Sequence, residues 1–170
     1  MNNCYDNVEY KNMINNILND VKFQEIRNCR HHGITRLEHS LRVSYFSYKA
    51  SKFLHLNARE AARAGLLHDF FVPSDLSNKG QIISVFKHPR KALENADNKF
   101  ILSDMEKDII FSHMFPLTIA RPPKYLESWL VSIVDKLVAT YEFASSYTKT
   151  FLFKSQYMSL LFIVLLKRGF

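Results

Sequence analysis

Six side chains in this sequence stand out for the chemistry their types allow: His39, the adjacent pair His68 and Asp69, His88, His113 and Asp135. Neutral imidazole and carboxylate together suit divalent iron, manganese and similar metals. Asp135 lies in the run WLVSIVDKLVA, so Val131, Val138 and Ala139 share its helix face. Burying a bare carboxylate there costs several kcal/mol, so Asp135 needs a cation, a strong set of hydrogen bonds or a proton. An arginine or lysine from another helix would meet that need as well as a metal would. The pair His68 and Asp69 ends a run that includes Ala61, Ala62, Ala64, Gly65, Leu66 and Leu67. Small residues allow close helix packing, which delivers the pair into the interior. A lone interior histidine is commonly a satisfied core residue, but one joined to an aspartate at the end of an apolar helix shifts the reading toward ligation.

The elements that must carry these residues are legible as helices. Four glycines and five prolines in 170 residues are too few for a turn-rich β-sandwich, and long periodic segments point to an all-α domain. Thr35-Arg36-Leu37-Glu38 is a capping box, and Asn57 to Glu60 and Ser103 to Glu106 repeat its pattern. Helices are therefore expected to begin at residues 36, 58 and 104. Pro89 is expected to open another, because its fixed φ and missing N–H suit a first helical position. A further helix is expected from about Lys124 to Phe143, after Arg121-Pro122-Pro123. Residues 5–23 carry a helical period, 28–34 read as a loop broken at Gly33, and 71–87 read as a long loop. The length fits one domain, expected over residues 1–146, followed by an apolar and basic helical tail over 147–170.

The net charge of +7 is unevenly placed. After Glu142 there is no acidic residue, whereas Lys149, Lys154, Lys167 and Arg168 follow it. The chain has no Lys/Arg block and no basic–aromatic ladder, so a pI near 9.4 alone does not call for nucleic acid, and none is expected as a partner. Positive charge around a pocket for phosphate-bearing substrates fits equally well. Cys4 and Cys29 form no CxxC motif, which suits a reduced, cytoplasmic setting. The start, MNNCYDNVEY, has no basic region leading into an apolar run, so no secretory signal is expected. No uncharged apolar stretch reaches the ~18 residues of a membrane span.

The order His39, His68-Asp69, His88, His113, Asp135, at spacings of 29, 20, 25 and 22 residues, resembles the six-ligand signature of the HD-domain superfamily of metal-dependent phosphohydrolases. The segments GLLHDFF, KHPRKALENA, DIIFSHMFPLT and SWLVSIVDKLVATYE are similar to a small stand-alone bacterial subgroup, and the likeness covers roughly residues 30–143. It implies an all-helical bundle whose ligands converge from separate helices on one or two divalent ions. Iron or manganese come first, with cobalt, nickel, zinc or magnesium also open. By position, His39, His68, Asp69 and Asp135 would hold one ion, and Asp69, bridging, would hold the other with His88 and His113. The segment FFVPSDL departs from the best-characterised two-metal relatives and leaves the general acid unassigned.

The reaction expected from this resemblance is hydrolysis of a phosphate ester or anhydride in a small phosphorylated metabolite or nucleotide. A divalent metal lowers the pKa of bound water from about 15.7 toward 7, making hydroxide available. His68, Asp69 and Lys136 are the expected catalytic residues. Arg36 and Arg42 on either side of His39, and Lys87, Arg90 and Lys91 around His88, are expected to meet substrate oxygens. The last three would lie at a helix N-terminus, where backbone amides favour anions. The same His/Asp sphere also supports a two-iron site that activates oxygen, and a third reading is a metal-binding regulatory module without turnover, against which the complete ligand set argues.

Overall fold

Short polar side chains set the helix starts in the computed structural model, which describes residues 7–31, 33–75 and 81–168. Cys4, His32, Asn78, Gly80 and the last two residues lie outside this set, as do the side chains of His31 and of residues 149–168. In chain order the elements are α1 (Val8–Leu18), α2 (Val21–Gln24), β1 (Arg30–His31), β2 (Ile34–Thr35), α3 (Arg36–Phe53), α4 (Ala58–Leu67), α5 (Gln81–Asp97), α6 (Asp104–Ser112) and α7 (Leu126–Arg168). Among the described residues the protein is all-α apart from one two-residue antiparallel ribbon, in which Arg30 pairs with Thr35 and His31 with Ile34.

Two of the three capping boxes form as complete boxes. The Thr35 hydroxyl accepts from the Glu38 N–H at 3.2 Å, and the Glu38 carboxylate accepts from the Thr35 N–H at 2.9 Å. Ser103 and Glu106 do the same, both at 3.0 Å. Each such cap contributes about 1 kcal/mol. The third is shared between helices. Asn57 caps the Glu60 N–H, but its own N–H donates to Glu127 of α7, while the Glu60 carboxylate takes the Ser103 hydroxyl. One cap thus ties together the starts of α4, α6 and α7.

The core runs through Tyr10, Ile14, Phe23, Leu66, Ile109 and Val131, all almost wholly buried. Between α3 and α4 the packing is unusually close, because small residues face each other. Ser40, Ser44, Ser47 and Ser51 are buried on α3, and Ala61, Ala62 and Ala64 on α4. The Ser44 hydroxyl donates to the Ala62 carbonyl at 2.6 Å, and a Cβ placed on Gly65 would lie 3.2 Å from Ser44 Cα.

Three elements depart from expectation. Residues 5–23 do not form one helix: α1 ends at Leu18, and Asp20 caps a separate turn by accepting from the Phe23 N–H at 2.9 Å. The segment expected to loop over 28–34 forms the β1–β2 ribbon, turning at Gly33 with φ +88° directly against Ser146. Pro89 does not open α5 but lies inside it, since the helix already begins at Gln81, so residues 81–87 of the segment expected to loop over 71–87 are helical. An interior proline costs about 3 kcal/mol through a lost hydrogen bond and a clash with the preceding turn. Against that cost, His88, Pro89, Ala92 and Ala96 are all buried.

The last helix starts at Leu126, after the Lys124 N–H and the Ser128 hydroxyl bind Asp108. It continues without a break to Arg168, since no glycine or proline interrupts residues 126–168. Residues 147–168 therefore prolong the helix that carries Asp135. No helix among the described residues is long and apolar enough to cross a membrane. Replacing Gly65 with Val should overpack the α3–α4 contact and cost about 1–3 kcal/mol, read as a lower midpoint in chemical denaturation.

Candidate metal centre

Two of the site histidines are positioned by the same local device. His68 caps the C-terminal end of α4 and His113 that of α6, each with helical backbone angles. In each, ring Nδ1 donates to the carbonyl three residues back: Gly65 O from His68 and Ile110 O from His113, both at 2.8 Å. The bond occupies a carbonyl that the helix end leaves without a partner. It also selects the tautomer, so Nε2 is left as the lone-pair atom.

His39, in the first turn of α3, is oriented from α7. Its Nδ1 lies 2.8 Å from Glu142 Oε2, its Nε2 lies 3.0 Å from Asp135 Oδ1, and its side chain is fully buried. Arg42 donates to the second oxygen of Glu142 at 3.1 Å. Burial opposes a charge on His39, but hydrogen bonds to Asp135 and Glu142 push its pKa up to about 10. Burial likewise opposes ionisation of Asp135, yet the hydrogen bond from His39 and the surrounding imidazoles hold it well below the usual carboxylate range. In His113, burial first and then the neighbouring His68 and His88 push the pKa down to about 3. His113 is therefore neutral.

The remaining distances draw the group together. His68 Nε2 lies 3.5 Å from Asp135 Oδ1 and 3.9 Å from Asp69 Oδ2, and makes no hydrogen bond. Asp69 Oδ1 lies 3.5 Å from His88 Nε2 and 3.9 Å from His113 Nε2, and those two nitrogens are 3.1 Å apart. His88 also stacks on Phe71, with ring centroids 5.3 Å apart. His39, His68 and Asp135 form one buried triad able to hold a cation, and His68, Asp69 and His113 form a second. Asp69 faces its neighbours with both oxygens.

This donor set fits a divalent metal. Neighbouring ligands about 2.1 Å from one ion, at right angles, lie about 3 Å apart, close to the shorter separations seen here. The buried Nε2 of His68, without a hydrogen bond, is a donor that a cation would satisfy. The Nδ1 contacts of His39, His68 and His113 are of the kind that orient imidazoles for metal binding.

The six cations expected near substrate are placed unequally. Arg36 is buried, with its guanidinium 3.8 Å above the Phe71 ring, NH1 bonded to the Phe71 carbonyl and Nε 3.9 Å from Asp69 Oδ2. Arg42 is engaged with Glu142. Lys136 turns away from the carboxylates: its ammonium donates to the His113 carbonyl at 2.8 Å and to Ser132 O and Oγ at 3.1 and 3.0 Å. Its pKa is lowered by partial burial. Arg90 and Lys91 both bind Glu94, and Lys87 is exposed. Because α5 starts at Gln81, these three do not sit at a helix N-terminus. His55 is exposed and lies apart from the cluster's residues in the sequence.

Glu142 is the residue that the reading of the sequence missed. Its signal is its spacing: seven residues after Asp135, it falls two turns later on the same face of α7. Comparison with known proteins adds one finding. The family profile described as HD domain matches residues 36–140, a span that contains all six residues of the cluster. No curated protein and no solved structure matches the chain.

The His39 arrangement predicts how the metal-free protein responds to pH. A histidine raised from about 6.5 in the unfolded chain to about 10 in the fold contributes stability that is complete below about 6.5 and is lost as pH rises through 10. Thermal melts in chelator should therefore fall between roughly pH 7 and 10, and the fall should flatten in His39→Gln.

Proposed function

The chain belongs to the HD-domain family, and from that premise we propose that it is a metal-dependent phosphohydrolase cleaving a phosphate ester or anhydride of a small phosphorylated metabolite or nucleotide. The observation that carries this reading is the convergence of four imidazoles and two carboxylates, from five different helices or their ends, in one buried cluster. In this reading His39, His68, Asp69 and Asp135 hold one ion, and Asp69, His88 and His113 hold a second. Iron or manganese is the first choice for this mixed nitrogen–oxygen set. Bound there, a divalent metal supplies Lewis acidity and lowers the pKa of water toward neutrality.

The chain's own residues do the rest. Glu142 holds His39 by Nδ1, so that Nε2 stays aimed at Asp135. Lys136 and Ser132 brace the carbonyl of His113, which fixes the backbone from which that imidazole projects. Lys136 thereby acts as a positioning residue. Arg36 faces Asp69 with an Nε that makes no hydrogen bond, and it is the cation best placed to meet a phosphoryl oxygen. Exposed Lys87, next in sequence to His88, is a second candidate.

Protein purified without chelator should contain iron or manganese by elemental analysis and should hydrolyse at least one member of a panel of phosphorylated metabolites. Asp69→Ala, with its helical circular dichroism intact, should lower that rate by more than about 100-fold, beyond the 10–100-fold typical of outer hydrogen-bond partners. Unchanged hydrolysis in Asp69→Ala would overturn the assignment. Glu142→Gln keeps an acceptor but loses its charge, and should weaken Mn²⁺ binding about 10-fold by calorimetry.

A further inference from the structure

We propose that Phe71 is a positioning residue for the second ion, the one assigned to Asp69, His88 and His113, and that its ring sets the His88 imidazole against the Asp69 carboxylate. The proposal rests on the assignment of two ions to the cluster. Its starting point is the chain just after α4. There the Phe70 N–H donates to the Leu67 carbonyl at 3.0 Å, and the Phe71 N–H to the Asp69 carbonyl at 2.8 Å. A bond across two residues closes a tight bend of the γ-turn kind. The Asp69 carboxylate and the Phe71 ring are thereby offered to the same two neighbours.

Those neighbours are Arg36 and His88. The Arg36 guanidinium lies 3.8 Å above the ring, with its Nε 3.9 Å from Asp69 Oδ2. His88 stacks on the ring at an interplanar angle of 27°, with its Nε2 3.5 Å from Asp69 Oδ1. One phenyl ring and one carboxylate therefore frame both the imidazole and the guanidinium.

The frame is gripped from α5 and α3. Asn95 Nδ2 donates to the Phe70 carbonyl at 3.0 Å and to Asp75 Oδ2 at 2.9 Å, and Asp75 Oδ2 also accepts from the Val72 N–H at 2.9 Å. Arg36 donates to the Phe71 carbonyl. Asn95 is buried and stands seven residues after His88, two turns along the same face of α5. The helix that carries the imidazole thus also holds the segment that carries the ring. The adjacent Phe70 serves the core instead, with its ring 5.3 Å from Phe23 and 6.3 Å from Phe100.

A near-parallel aromatic contact restrains the tilt of an imidazole without engaging its nitrogens, so Nε2 is aimed and left available to an ion. An aliphatic side chain offers no such plane. The effect is confined to one ion. His39 and His68, which belong to the first, take their orientation from Glu142 and from the Gly65 carbonyl.

Mn²⁺ titration of the full chain, followed by calorimetry and electron paramagnetic resonance, tests the role of Phe71. The wild-type protein should take up two equivalents and develop the exchange-coupled signal of a carboxylate-bridged pair. Phe71→Leu should weaken the second equivalent about 10-fold, as loss of an outer partner of a metal ligand does, and the first by less than about 2-fold. Its coupled signal should appear only at correspondingly higher Mn²⁺. Phe71→Met, which refills the space with a flexible side chain, should behave alike and serves where the leucine variant does not fold. Phe71→Tyr keeps the ring and should bind both equivalents within about 3-fold of wild type. Equal weakening of both equivalents, an unchanged second equivalent in Phe71→Leu, or a tyrosine variant as weak as the leucine one would overturn the proposal. A single equivalent in the wild type would overturn it together with the two-ion assignment. Selective loss of the second equivalent supports it whether or not any phosphate ester is hydrolysed.

Discussion

The structure depends on one constraint: carboxylates drawn into a medium of low polarity must be neutralised where they lie. Asp69, Asp135 and Glu142 are each buried. The protein answers with imidazole and guanidinium, placing His39 between Asp135 and Glu142 and Arg36 beside Asp69. Such an arrangement is weak evidence of stability, because the desolvation of each charge consumes much of what pairing returns. A hydrophobic core of the same shape would serve stability alone about as well. That the chain keeps the charges agrees with a site built to take up a cation.

The tautomers show how rigidly that site is prepared. Helix C-termini end in carbonyls with no partner, and a histidine at the cap can fold its Nδ1–H back onto one of them. His68 and His113 both do this, on helices that reach the site separately. The fold thus orients two rings with bonds the helices require in any case, and no additional side chain is spent. His39 lies at a helix beginning, where no such carbonyl is available, and its orienting acceptor is Glu142 from another helix. Position within a helix therefore decides whether an orienting group is local or distant.

The same distinction explains what was legible in the sequence. The starts of α3, α4 and α6 are written within four residues each, as capping side chains, and the helices begin where those side chains stand. The six chemistry-bearing residues stood out by type and order. Glu142, by contrast, acts 103 residues from its partner, and only its two-turn spacing from Asp135 hinted at it. Pro89 misled because local backbone chemistry favours a helix start, whereas the burial of Ala92 and Ala96 on the same helix is a property of the folded whole. Lys136 misled by adjacency. Neighbours on a helix point about 100° apart, so a residue next to Asp135 addresses different surroundings, here the carbonyl of His113.

That angular rule also governs α7 as a whole. One arc of the helix holds Asp135 and Glu142 and faces the imidazoles, while another holds Ile133, Leu137 and Tyr141 and faces outward. Valines at 131, 134 and 138 are buried and anchor the helix in the protein. Because a helix offers only about 3.6 directions per turn, drawing every carboxylate to the inner arc leaves none for the outer one. Restoring ordinary polarity to the outer arc would require charged residues at positions such as 133, 137 and 141, and none of these touches the histidines. Their apolar character is therefore not imposed by the buried histidine–carboxylate cluster, and it calls for a cause outside it.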